Sequence, residues 1–144
     1  MRIEEIRKDI KSKIPQAVAI AQDKVAKIVE DVLMEYYASY TPVEDGYDRT
    51  YQLLSSCVIE AIKVSGNGAS ARVYLDSGSM SYTTGSQPSG AQVMEAANAG
   101  VHGAAGLKTV GSGPPLSSTA EERVGSEINK ILLDAIRAAG IPVR

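Results

Sequence analysis

Apolar side chains fall three or four residues apart through the first quarter of the chain, and that spacing commits the segment to helix. Ile3, Ile6, Ile10 and Ile14 share one side, while Glu4, Glu5, Arg7, Lys8, Asp9, Lys11 and Lys13 fill the other positions, the mark of an amphipathic helix. From Gln16 the set Ala17, Ala21, Val25, Ile28, Val29, Val32, Leu33 and Tyr36 keeps the spacing for about six turns, with Asp23 and Lys27 as an i,i+4 pair. Pro15 lacks an N–H, so it is expected either to open a second helix or to kink one long helix, with a bend near residue 14 in both cases. Thr41-Pro42 sets the predicted end, because the residue before a proline is pushed out of the α region.

The core beneath these helices has to be aliphatic. None of the 144 residues is phenylalanine or tryptophan, 18 are alanine, and five of the seven tyrosines (Tyr36, Tyr37, Tyr40, Tyr47 and Tyr51) crowd between positions 36 and 51. At this length a single domain over 1–144 buries roughly two thirds of its unfolded surface, enough for one core. Fifteen basic residues against 17 acidic ones argue against a dedicated nucleic-acid binder, which needs a basic excess to displace counterions. One cysteine, Cys57, excludes an internal disulfide and supplies too few thiolates for a structural zinc site. The N-terminus alternates charge with isoleucine rather than forming the apolar stretch of a signal peptide, and no stretch approaches eighteen uncharged apolar residues. A soluble protein in a cytoplasm, with no membrane partner, is the expectation.

Beyond the N-terminal helices of 1–41, residues 43–49 are turn-rich, and Thr50 to Ser56 form one or two helical turns capped by Thr50. A β-hairpin is predicted over 57–76. Its first strand is the β-branched run Cys57 to Val64, its turn Gly66-Asn67-Gly68, and its return strand Ala71 to Asp76, with Arg72, Tyr74 and Asp76 on one face and Val73 and Leu75 on the other. Residues 77–118 then hold eight of the 13 glycines and only two charges, Glu95 and Lys108, and read as an extended Gly/Ser-rich insertion containing a short helix from Ala91 to Ala99, stopped by Gly100. A C-terminal helix over 119–140 is capped by Ser117 or Ser118, buries Val124, Ile128, Ile131, Leu132, Ala135, Ile136 and Ala139, and ends at Gly140; Glu121 and Glu122 suit its first turn. The fold class is α+β: two long amphipathic helices packed on a small antiparallel sheet, with the insertion before the second helix. Two strands are too few to stand alone, so either the insertion adds another or neighbouring subunits complete the sheet.

No arrangement for catalysis emerges. His102 is the only histidine, no serine lies in a G-x-S-x-G elbow, and Cys57 begins an apolar strand where a small core residue is the ordinary reading. The glycines from Gly100 to Gly113 match neither a dinucleotide fingerprint nor a phosphate loop. Glu44, Asp45 and Asp48 lack the alternating ligands of a calcium loop. No catalytic, cofactor-binding or metal-ligating residue is assigned, and no cofactor. Tyrosine and arginine in Tyr47-Asp48-Arg49-Thr50-Tyr51 instead suit an interface anchor.

A long helix ending in Tyr36-Tyr37-x-x-Tyr40-x-Pro42, then Tyr47-x-Arg49-Thr50-x-x-Leu53-Leu54-x-Ser56, a β-hairpin, the loop Gly100-Val101-His102-Gly103 and a C-terminal helix together resemble the tail-completion proteins of tailed bacteriophages, also called neck or head-tail joining proteins. The family signature places an aromatic before Arg-Thr-Gly, then leucine and a serine just ahead of the first strand; Arg49, Thr50, Leu53 or Leu54, and Ser55 or Ser56 match it, while Tyr51 stands where the family carries glycine. The similarity runs from about Ala17 to Gly140.

The resemblance implies a structural virion protein without enzymatic activity, a ring of identical subunits between the head connector and the tail, made in the host cytoplasm and kept in the virion neck. Its implied partners are its own copies, the connector or adaptor, and the tail-terminator or tail-tube proteins, with DNA passing through the channel unbound. Tyr47, Arg49, Thr50, Tyr51, Leu53, Leu54 and Ser56 become candidates for the helix-to-sheet junction or an interface, with intrachain packing as the plain alternative; Val101, His102 and Gly103 become candidates for a contact with a neighbouring subunit or the tail. Two other readings stay open: a tail-terminator subunit, and a small hydrolase or transferase using Cys57 or His102.

Overall fold

The computed structural model describes residues 2–39, 52–80, 89–102, 111–112 and 114–143. The class is α+β: three α-helices and a small set of antiparallel strands among the described residues.

The first helix, α1 (Ile3–Ala38), runs for 36 residues with Pro15 inside it, so of the two alternatives for that proline the chain takes the single long helix. Proline deletes one backbone hydrogen bond, but the apolar stripe stays in phase on both sides of it. Ile3, Ile6 and Ile10, then Ile14, Ala17 and Ala21, then Val25, Ile28 and Val32 repeat a three-four-four spacing, a period of eleven residues, which follows an almost straight α-helix. The helix stops at Ala38, short of the expected Thr41: the Ser39 amide donates to the Glu35 carbonyl at 3.0 Å and its hydroxyl to the Tyr36 carbonyl at 2.6 Å, which satisfies the last turn locally. The loop expected at 43–49 and the Thr50 cap lie outside the described residues. The next described element is a 3-10 turn at Leu54–Ser56, a single helical turn within the expected 50–56, with Leu53 ahead of it and no side-chain cap.

The expected two-stranded hairpin is four short strands. Strands β1 (Cys57–Ile59) and β4 (Val73–Leu75) pair, as do β2 (Lys63–Ser65) and β3 (Gly68–Ser70), joined by a two-residue turn at Gly66 and Asn67 with Gly66 at φ +53. A β-bulge divides them. The Glu60 amide donates to the Arg72 carbonyl, whereas Lys63 lies opposite Ser70, so Ala61 and Ile62 together face Ala71 alone. Gln22 of α1, only 6% exposed, closes the gap: its Nε2 donates to the carbonyls of Glu60 at 2.7 Å and Arg72 at 2.9 Å. The extra residue also shifts the alternation. Val64 pairs with Ala69, and Ile59 falls opposite Val73, so Ile59, Val64, Ala69 and Val73 share one apolar face.

Residues 77–118 hold more structure than an extended insertion. They contain a 3-10 turn at Ser77–Ser79, helix α2 (Gly90–Asn98), the paired strands β5 (Val101–His102) and β6 (Gly111–Ser112), and the start of α3 (Leu116–Ala138). Ser89 and Gln92 form a capping box at the start of α2, and Gly100 follows its last turn at φ +72. A Cβ on Gly90 would lie 2.1 Å from the Ser77 carbonyl oxygen, so only glycine lets the helix sit against that turn. Helix α3 begins before the expected Ser117 or Ser118 cap: Ser117 sits in its first turn and gives its amide and hydroxyl to Asn98 Oδ1, and Glu121 and Glu122 fall beyond that turn. At the other end Ile141 N donates to Ile136 O and Gly140 N to Arg137 O, with Gly140 at φ +79, a Schellman motif.

The chain folds into two compact units, residues 28–58 with 74–123 and residues 1–27 with 59–73 and 124–144. In the first, Val32, Leu33, Tyr36, Leu53, Met80, Ala97, Leu116 and Ala120 form a continuous buried cluster, and the Tyr36 and Tyr37 rings meet edge-on. In the second, the buried positions are Ala17, Ala21, Gln22, Ala26, Ile131, Ala135 and Ala139. Of the core positions expected on the last helix, Leu132 is instead exposed, and Val124, Ile128 and Ile136 are half-buried. Among the described residues no helix is long and apolar enough to cross a membrane.

Two substitutions test these contacts. Gln22→Leu roughly keeps the volume but removes the side-chain donor from the Glu60 carbonyl and one of two donors from the Arg72 carbonyl, and is expected to lower unfolding free energy by about 1–2 kcal/mol in denaturant titrations. Gly90→Ala should cost about 1–3 kcal/mol by overpacking against Ser77, while Ala91→Ser on the exposed face leaves stability within about 0.5 kcal/mol of the parent.

Candidate functional site

The two units are filled differently. Residues 28–58 with 74–123 bury large side chains: valine, leucine, tyrosine and methionine. In residues 1–27, 59–73 and 124–144, Ile131 is the one buried residue among the described isoleucines, leucines and valines, and the other apolar buried positions are alanine. A buried alanine removes far less apolar surface from water than a leucine, whose burial is worth roughly 1.5–3 kcal/mol.

Most other large aliphatics of that unit, among them Ile10, Ile14, Val25, Ile128 and Ile136, are half-buried, and the remainder are exposed. Six of the seven exposed large hydrophobics belong to it: Ile3 (76% exposed), Ile6, Ile59, Val64 (64% exposed), Leu132 and Val143; Met34 is the seventh. Single exposed aliphatics are ordinary, but their concentration on the unit with the sparsest large-residue core is not.

Local structure explains the display. The stripe that is buried at Ala17 and Ala21 continues in phase to Ile10, Ile6 and Ile3, where residues 2–9 are all exposed. Its polar flank is held in place: Arg2 N donates to Glu5, and Lys13 pairs with Asp9 at 2.7 Å and donates to the Gly140 carbonyl at 3.3 Å. In the β2–β3 ribbon, Lys63, Val64 and Ser65 are all exposed, and no third strand joins the ribbon among the described residues. Each strand therefore keeps one edge of backbone groups unpaired by its neighbour.

The residues singled out by sequence fall elsewhere. Leu53 is buried in the cluster of the other unit, Leu54 packs against it, and Ser56 is buried with its hydroxyl donating to the Leu53 carbonyl at 2.6 Å. These three join α1 to the first strand by intrachain packing. Val101 and His102 form β5, paired with Ser112 and Gly111. Tyr47, Arg49, Thr50, Tyr51 and Gly103 lie outside the described residues.

Two groups escape sequence reading. Gln22 carries a weak signal, a polar side chain beside the apolar stripe. Glu35 and Arg123, 88 residues apart, form a two-pronged ion pair, Nη1 to Oε1 at 2.7 Å and Nη2 to Oε2 at 2.5 Å, and nothing in one sequence pairs them.

Chemically reactive arrangements are sparse among the described residues, where no group of three or more His, Cys, Asp or Glu side chains is placed to hold a metal ion. Burial, reinforced by Glu30, pushes the Cys57 thiol up from its ordinary value, the opposite of what a nucleophilic thiolate needs. The geometry offers surface for packing.

Comparison with known families gives a match consistent with a phage protein. The chain belongs to the YomN family, whose sequence profile matches residues 2–139, and YomN is a phage gene product. No curated protein and no solved structure matches the chain.

The ion pair gives a pH signature. Arg123 holds the Glu35 carboxyl below its ordinary value of 4.5, chiefly by the hydrogen bonds it donates. A depressed folded-state value means that the stabilisation is complete above the unfolded value and fades as pH falls through the folded one. Arg123→Gln is therefore expected to lower Tm slightly near pH 7, with the difference closing as pH falls below the carboxyl's ordinary 4.5 and in high salt. A pH-independent difference in thermal melts would show that packing of the arginine stem, rather than the charge pair, carries the effect.

Proposed function

We propose that this YomN-family protein is a structural component of the virion that joins the head connector to the tail, assembling as a ring of identical subunits around the DNA channel, with no enzymatic activity. The observation that carries the reading is the unit of residues 1–27, 59–73 and 124–144, whose fully buried apolar positions among the described residues are alanine apart from Ile131, and which presents Ile3, Ile6, Ile59 and Val64 to solvent. Such a surface gains more from a neighbour than from its own interior. Membership of a phage family and the resemblance to tail-completion proteins supply the setting. The unpaired edges of the β2–β3 ribbon suit strand addition between subunits, and the nearly uncharged stretch 77–118 suits a lining past which DNA slides without adhering. Partners in this reading are the connector or adaptor on one side and the tail-terminator or tail-tube protein on the other, and its location is the virion neck after assembly in the host cytoplasm.

Light scattering after size-exclusion chromatography, with the protein alone and mixed with connector and tail-tube proteins, tests the proposal. A strict monomer that binds neither partner would defeat it. Ile3→Asp with Ile6→Asp should leave monomer stability within about 0.5 kcal/mol, because both side chains are exposed, yet weaken assembly roughly tenfold or more.

A further inference from the structure

Charge is divided between the two units. Among the described residues, 1–27, 59–73 and 124–144 carry eleven lysines and arginines against seven aspartates and glutamates, a net of +4. Residues 28–58 and 74–123 carry one arginine, Arg123, against seven acids, a net of −6. The charged residues outside the described set number three of each sign, so the two values together leave the formal −2 of the whole chain.

Local structure does not account for this division. Arg123 is already engaged by Glu35. Glu121 and Glu122 stand beyond the first turn of α3, where the helix dipole no longer favours them, and together with Glu95 they are exposed. On the basic unit, Arg7, Lys8 and Lys11 are exposed beside Ile3 and Ile6. Gathering like charges costs self-repulsion that an interspersed surface avoids.

We infer that copies of this chain associate head to tail, the basic unit of one copy against the acidic unit of the next. The inference rests on the self-assembly in the proposed function and names what would hold the subunits together. Opposite charge steers the encounter and sets its orientation, and the exposed isoleucines beside the basic residues supply apolar area once the contact closes. A contact between two different surfaces leaves each copy with one surface of each kind unused. It therefore propagates from copy to copy and ends only when the rotation closes a ring. A second copy is a better occupant than DNA, because the complementary acidic surface is part of the same chain and Ile3, Ile6 and Val64 offer nothing to a phosphate backbone.

Sedimentation velocity of the full chain at increasing salt is the test, with charge-reversal variants checked for folding by circular dichroism. Self-association should weaken roughly tenfold between about 50 and 500 mM salt. Arg7→Glu with Lys8→Glu and Lys11→Glu should abolish it, and so should Glu95→Lys with Glu121→Lys and Glu122→Lys. Mixing the two variants should restore assembly, a result that misfolded proteins cannot give. Oligomers indifferent to salt and to both sets of reversals would overturn the inference and leave the ring reading standing, whereas a wild-type chain that stays monomeric at every salt would overturn the inference, and would remove the ring reading too if it binds neither connector nor tail-tube protein. The inference also falls, in favour of a nucleic-acid surface, if the basic-unit variant loses binding to labelled duplex DNA while its self-association is unchanged.

Discussion

Everything else in this fold is arranged around the unbroken apolar stripe of α1. Because the stripe repeats every eleven residues, close to three helical turns, it stays in phase on both sides of Pro15, and one element contributes residues to both units. Its later turns bring Val32, Leu33 and Tyr36 to a cluster of large side chains; the middle turns of α1 bring Ala17, Ala21 and Ala26, with Gln22 beside them, to burial; its first turns carry isoleucines into solvent. The same periodic signal therefore yields a core, a thin contact and a display surface, according to what the rest of the chain supplies opposite it.

The small buried residues have a mechanical meaning as well. Alanine lets backbones approach, and a backbone that comes close can be held by polar groups rather than by apolar area. Gln22 does this at the bulge, offering its amide hydrogens to the Glu60 carbonyl and to the Arg72 carbonyl, which also accepts from the Glu60 amide, and Lys13 does it less firmly at the Gly140 carbonyl. A unit held in this manner keeps its aliphatic side chains uncommitted. In a protein whose proposed place is among its own copies, such a reserve is useful, because assembly then adds burial that folding did not use.

Periodicity makes the helices legible in the sequence, and glycine makes several ends legible: Gly66, Gly100 and Gly140 all take the positive φ their positions require. The residue pattern sets the α2 start one residue late, at Ala91 rather than Gly90, because the true signal is a serine capping box followed by a glycine chosen for fit against Ser77. The hairpin is legible as a hairpin, but the bulge is not, since valine and isoleucine recur on both sides of Glu60 and Ala61 and give no hint of where pairing slips. Of the candidate site, the sequence points to Leu53, Leu54 and Ser56, which are packing residues, because composition there concentrates tyrosine, arginine and leucine. The exposed Ile3, Ile6 and Val64 are invisible as a site for the opposite reason: an apolar residue at the correct period looks like core whether or not anything covers it.

The bulge makes the surface of the β2–β3 ribbon depend on chain length as much as on residue identity. One residue is half the repeat of a strand, so the number of residues between Glu60 and Lys63 decides which face every later side chain takes. With two residues there, Ile59 and Val64 look the same way. Removing either one would carry Val64 to the side of Glu60 and Arg72 and split the apolar face, although every remaining amino acid would be the same. The ribbon's surface is thus counted out along the backbone, and an insertion or deletion of a single codon is the largest change it can suffer.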